Sequence, residues 1–115
     1  MAKLSTHVLD TARGVPAAGV SVQLYRVDET ARQLLAQTRT NPDGRTDRPL
    51  LQDAELVTGS YELAFDVGAY FASAGAPDAG VFLEVVTLHV RLEAGQNYHV
   101  PLLVSPWAYS TYRGS

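Results

Sequence analysis

The sequence contains no cysteine. Disulfides, thiolate metal sites and cysteine nucleophiles are therefore excluded, and the absence fits a reducing compartment. Basic residues are also scarce: 9 lysines and arginines stand against 12 aspartates and glutamates, for a net charge of −3. No basic block exists, so a nucleic-acid partner is not expected. The apolar runs fall far short of the roughly 20 residues that span a membrane. After Met1-Ala2-Lys3 the chain enters a strand-like segment with none of the apolar core of a signal peptide. Also missing are a glycine-rich phosphate loop, a Gly-x-Ser-x-Gly elbow and a peroxisomal tripeptide. The expectation is a single domain over residues 1–115, cytoplasmic and with no membrane contact.

What is present reads as short strands. Hydrophobic residues make up 46% of the chain, enough for one ordinary core. Leu4 to Asp10 reads as a strand with Thr6 and Val8 on one face and Ser5, His7 and Leu9 on the other. Val20 to Val27 alternates cleanly, and Leu34 to Thr40 is a weaker third strand. Asn41-Pro42-Asp43-Gly44 is a strong turn, and Arg45 leaves it at once. Thr46 to Gln52 reads as an edge strand or loop, since Pro49 cannot donate to a ladder.

Tyr61 to Val67 follows as a strand, with Tyr61, Leu63 and Phe65 on one face. Gly68 to Gly75 is the one plausible helix. Val81 to Leu92 reads as a long strand with Val86, Leu88, Val90 and Leu92 inward. Asn97 to Val104 and the terminal run from Tyr109 complete seven or eight strands. Turns at near-regular spacing make this the pattern of an antiparallel β-sandwich.

Two histidines sit on unexpected faces. In Asn97 to Val104, Tyr98, Val100, Leu102 and Val104 form the natural core face, which leaves His99 outward beside Pro101 and Leu103. An outward face that is itself apolar lies against something. The first strand repeats the arrangement with His7 and Leu9, and near the terminus Ser110 shares a face with Tyr112. A lone histidine on a strand is ordinarily a solvated or satisfied residue, and His89, between Thr87 and Arg91, reads that way. Arg45 alone would be an ordinary solvated charge. Should the strands neighbour one another, His7, His99 and Tyr112 would line one pocket. The chemistry left open is acid–base: two imidazoles near their working pKa, Arg45 as an oxyanion or carbonyl clamp, Tyr112 as a donor. That set suits hydrolysis of a polar, carbonyl-rich small molecule. Two histidines without cysteine or a spaced carboxylate make a poor metal site, a bridging zinc being the one alternative.

Four separated stretches resemble a known family. They are Ser5-Thr6-His7-Val8-Leu9-Asp10, Asp43-Gly44-Arg45, Tyr98-His99-Val100-Pro101-Leu102-Leu103, and the terminal Tyr109-Ser110-Thr111-Tyr112-Arg113-Gly114-Ser115. In this order they resemble the 5-hydroxyisourate hydrolases, the transthyretin-like family of purine catabolism. The Tyr-Arg-Gly-Ser end is the most specific of the four. The resemblance implies an all-β fold, a transthyretin-like sandwich of two four-stranded sheets with one short helix. It implies a homotetramer, a dimer of dimers, with sites at the dimer–dimer interface. It implies ring-opening hydrolysis of 5-hydroxyisourate, with His7, Arg45 and His99 catalytic, Tyr112, Arg113, Gly114 and Ser115 binding substrate, and no cofactor or metal. Taken alone, Tyr109 to Ser115 reads as a frayed edge strand. Beside His7, Arg45 and His99 it is expected to close a shared site, and the chain is expected to end there because the end is used. Two rival readings are a transthyretin-like carrier of hydrophobic ligands and a sandwich that binds protein or carbohydrate through an exposed aromatic such as Trp107.

Overall fold

The computed structural model describes residues 2–114. Two sheets face each other across one hydrophobic core. The first runs β2 (Val15–Pro16), β1 (Lys3–Asp10), β8 (Asn97–Val104), β9 (Tyr109–Thr111), with a two-residue β5 (Leu51–Gln52) pairing the start of β1. The second runs β4 (Arg32–Arg39), β3 (Ser21–Val27), β6 (Gly59–Asp66), β7 (Val85–Leu92). The expected four strands thus make up the second sheet, while the first has five, with β5 beside a four-strand path. Antiparallel pairing is general except between β1 and β8, which run parallel over eight residue pairs from Lys3↔Asn97 to Asp10↔Val104.

The strands β1, β3, β6 and β7 keep the faces their alternation predicts. In β1, Leu4, Thr6, Val8 and Asp10 are buried while Ser5, His7 and Leu9 are half-buried on the other side. Val86, Leu88 and Leu92 of β7 are buried as expected, and Val90 packs on the core from a partly buried position. That strand is shorter than its apolar residues suggest. Val81 and Phe82 sit in an exposed loop, and pairing starts at Val85. The one α-helix among the described residues, α1 (Val67–Ser73), starts where the Asp66 carboxylate accepts from Ala69 N at 3.1 Å. That is an N-cap, and it begins the helix one residue before the expected Gly68.

A buried carboxylate ties the helix to the first sheet. Asp10 ends β1 and is 1% exposed. It accepts from Tyr70 Oη at 2.8 Å, from Arg13 Nε at 3.1 Å, and from the backbone amides of Ala12 and Arg13. Burial pushes its carboxyl up, but these hydrogen bonds and the Arg13 charge outweigh burial and hold it below the ordinary 3.8. Its stabilising effect is therefore full above 3.8 and is lost as pH falls through the lower folded-state value. Tyr70→Phe removes one donor from a buried charge and is expected to cost about 1–3 kcal/mol at neutral pH. It should also flatten the acid-side loss of stability. Urea unfolding of both proteins at neutral and acid pH measures this; an unchanged midpoint would show that the network contributes nothing.

Candidate functional site

The site is built by strand register. In β1 and β8 Ser5 lies opposite His99, and His7 lies opposite Pro101. Paired residues share a face, so all four look outward from the core. On the far side of β1, an isolated bridge pairs His7 with Arg45. On the far side of β8, a second bridge pairs His99 with Gly114. The β8–β9 register, Leu102↔Thr111, runs without shift into that second bridge. Tyr112 therefore falls opposite Pro101 on the outward face, and Arg113 opposite Val100 on the core side.

Two rows result across the same face. One is Tyr112, Pro101, His7, Arg45; the other is Gly114, His99, Ser5. The two imidazole centroids are 6.4 Å apart, with planes tilted by 45°.

Local sequence holds each group in place. Asn41 Oδ1 accepts from the amides of Asp43 and Arg45, and Gly44 N donates to Asn41 O at 2.8 Å, which freezes the turn that carries Arg45. Gly44 takes φ +78°, and Val8 N donates to its carbonyl at 2.7 Å. A Cβ there would strike the Val8 carbonyl oxygen, which is backbone within β1 and cannot yield. The same turn presents the Asp43 carbonyl to His7 Nε2 at 2.8 Å. A carbonyl only accepts, so this nitrogen carries a proton and the free nitrogen of His7 is Nδ1. Gly114 also approaches closely. Its amide donates to His99 O at 2.6 Å, and a Cβ on it would lie 3.0 Å from His99 Cδ2.

The electrostatics of the site are cationic. Burial, then the Arg45 charge, His7 whenever it is protonated, and the Lys3 charge push the His99 imidazole below its ordinary 6.5. His99 is therefore neutral at neutral pH, while the exposed Arg45 is charged. The face can offer water a proton acceptor and offer a carbonyl oxygen a fixed positive charge.

Of the residues singled out in the sequence, His7, Arg45, His99 and Gly114 come together directly through these pairings. Tyr112 lies on the same face and is 61% exposed. Arg113 goes elsewhere: its guanidinium lies 4.8 Å from the Tyr98 ring centroid and Nη2 donates to Asn97 O at 3.0 Å. Tyr98 is on the opposite face of β8 from His99, so within one chain Arg113 clamps the end of the chain instead of facing the imidazoles. Ser115 lies outside the described residues. Two contacts were not legible from sequence. Ser5 Oγ is 2.9 Å from His99 Nδ1, and the partner of His7 is a backbone carbonyl. Trp107 stacks on Phe82 with centroids 6.0 Å apart and donates Nε1 to Asp78 at 3.1 Å. Among the described residues, no group of three or more His, Cys, Asp or Glu is placed to hold a metal ion.

The HIUase/Transthyretin family matches residues 4–114. This chain belongs to that family. Family relatives cover its whole length. The 5-hydroxyisourate hydrolase 2 of Rhizobium meliloti (strain 1021) is 53% identical over 98% of this chain and 96% of its own. The 5-hydroxyisourate hydrolase of Deinococcus radiodurans is 53% identical over 97% and 95%. Among solved structures, the Klebsiella pneumoniae 5-hydroxyisourate hydrolase superposes with a TM-score of 0.83 at 37% identity, with both chains fully covered. The (S)-allantoin synthase gives a TM-score of 0.92 at 42% identity over 99% of this chain, which spans 44% of that longer chain. Sea bream transthyretin in complex with thyroxine gives a TM-score of 0.87 at 24% identity, over 97% of this chain and 94% of its own, a likeness of fold alone.

The family fold makes the turn at Gly44 a sharp point of dependence. Gly44→Ala is expected to lower stability by about 1–3 kcal/mol, from the left-handed backbone and the clash with Val8. It should also shift the amide resonances of His7 and Arg45. Thermal unfolding and amide spectra check both; an unchanged melting point would show that the turn relaxes freely.

Proposed function

We propose that this protein is a 5-hydroxyisourate hydrolase. It opens the ring of 5-hydroxyisourate by hydrolysis to 2-oxo-4-hydroxy-4-carboxy-5-ureidoimidazoline, a step in urate degradation to allantoin. The observation that carries the reading is the convergence of His7, Arg45 and His99 on one outward face through β1–β8 register and the Arg45 bridge. Full-length relatives at about half identity bear the same activity in their names.

The mechanism follows from the groups present. An imidazole takes a proton from water as its oxygen attacks a ring carbonyl carbon. Negative charge then develops on the carbonyl oxygen, and the Arg45 guanidinium stabilises it. The carbon–nitrogen bond breaks and the ring nitrogen leaves protonated. Tyr112 supplies a further donor, Gly114 sits opposite His99 near the start of β8, and Ser115, outside the described residues, is proposed to bind substrate with them. The cationic face suits a urate-like substrate rich in carbonyls. The chemistry calls for no organic cofactor and no metal.

The site is also proposed to be shared between subunits of a homotetramer, a dimer of dimers, with this face lining the channel where dimers meet. Half-buried Leu9 and Leu103 flank the histidines on an outward face, which supports its being covered by another subunit. Among the described residues, no helix is long and apolar enough to cross a membrane. The cysteine-free sequence supports a cytoplasmic location.

The test is direct. 5-Hydroxyisourate is generated from urate with urate oxidase, the protein is added, and the ultraviolet decay of the intermediate is followed. Decay no faster than in buffer would overturn the reading. His99→Asn is expected to lower kcat by about 100-fold or more while the assembly is retained; surviving activity would remove His99 from the chemistry. Size exclusion at assay concentration is expected to give a tetramer. A monomer that turned over would rule out a shared site.

A further inference from the structure

His7 and His99 are related by register but held by different partners. The difference divides their work, a question the hydrolase reading leaves open and on which the inference rests. His7 Nε2 faces a carbonyl, which can only accept, so neutral His7 presents a lone pair at Nδ1. His99 Nδ1 faces a hydroxyl, which can donate, at 2.9 Å. The Ser5 hydroxyl has a single hydrogen, and among the described residues His99 Nδ1 is the one side-chain partner it has. Were the proton on Nδ1, Ser5 would accept and its own hydrogen would be left without a protein partner. Gly114 runs beside the Cδ2 of that ring, where an added Cβ would lie 3.0 Å away, and its amide bonds to His99 O. The nitrogen left without a partner among the described residues is Nε2.

We propose that Ser5 is a positioning residue whose hydroxyl donates to His99 Nδ1 and so fixes the proton of neutral His99 on Nε2, facing the substrate. The two imidazoles are then complementary, one a fixed lone pair and the other a fixed N–H. A neutral imidazole is a hydrogen-bond donor but a very weak acid, so His99 does not transfer its proton. It donates to the carbonyl oxygen on which charge develops, beside Arg45. His7 Nδ1 takes the proton from the attacking water and returns it to the leaving ring nitrogen as the carbon–nitrogen bond breaks. The second water proton leaves from the new carboxyl group to solvent. Protons and bonds balance with no co-reactant. Burial, the Arg45 and Lys3 charges and, whenever it is protonated, His7 all disfavour protonation of His99, which keeps the N–H donor in the neutral state.

The experiment reads the tautomer itself, without substrate. Long-range proton–nitrogen spectra of ¹⁵N-labelled protein distinguish the two tautomers, with His99 assigned by its loss in His99→Asn. Wild type is expected to show the Nε2-protonated form. Ser5→Ala should give a mixture and raise the His99 titration midpoint, because the donor that favours the neutral ring is gone. Ser5→Thr should restore the wild-type pattern. In turnover, Ser5→Ala should lower kcat about tenfold with KM nearly unchanged, consistent with loss of a transition-state interaction. An Nδ1-protonated His99 in wild type would overturn the proposal even if Ser5→Ala failed to fold. So would an unchanged tautomer and midpoint in a folded Ser5→Ala. Failure of the hydrolase reading would appear separately, as a wild type with the expected tautomer and no turnover.

Discussion

The parallel register between β1 and β8 is the constraint on which the site depends. It sets Ser5 against His99 and His7 against Pro101, and a slip by one residue would send every side chain of one strand to the opposite face. Core packing opposes such a slip. Leu4 and Val8 of β1 and Val100, Leu102 and Val104 of β8 belong to one core cluster. Thr6, buried among them, donates Oγ1 to Val100 O at 2.7 Å, and a buried hydroxyl without that acceptor would be costly. The inner face thus holds the register, and the outer face inherits from it the arrangement of imidazoles.

The outer face is finished by two short bridges that belong to no long strand. One brings Arg45 beside His7, the other brings Gly114 beside His99. Both use glycine where bulk is not tolerated: Gly44 under the Val8 carbonyl, and Gly114 against the His99 ring. The result concentrates positive charge on a chain whose net charge is −3. Arg45, His7 when protonated, and Lys3 all bear on His99, and with burial they disfavour its protonation.

The opposite end of the sandwich carries a different kind of polar group. Asp10 closes β1 with a buried carboxylate held by Tyr70 and Arg13, which anchors α1 and the β1–β2 turn. The same strand therefore carries structure on one face and the groups of the candidate site on the other, and the period of two residues keeps them apart.

The alternation of residues by itself determined most of the strands, their faces and the outward direction of His7 and His99, because side-chain parity is a local property of extended backbone. It overran where apolar residues serve a loop, as at Val81 and Phe82, and it could not foresee the N-cap at Asp66 that begins the helix one residue early. The turn at Asn41 to Gly44 was legible because its chemistry is contained in four consecutive residues. Only the tertiary structure decided that Ser5 meets His99, 94 residues away, that Asp43 offers its carbonyl to His7, and that Arg113 turns toward Tyr98. Those contacts depend on which strands become neighbours and in what register. That choice is made by the whole core at once, and no single stretch of sequence encodes it.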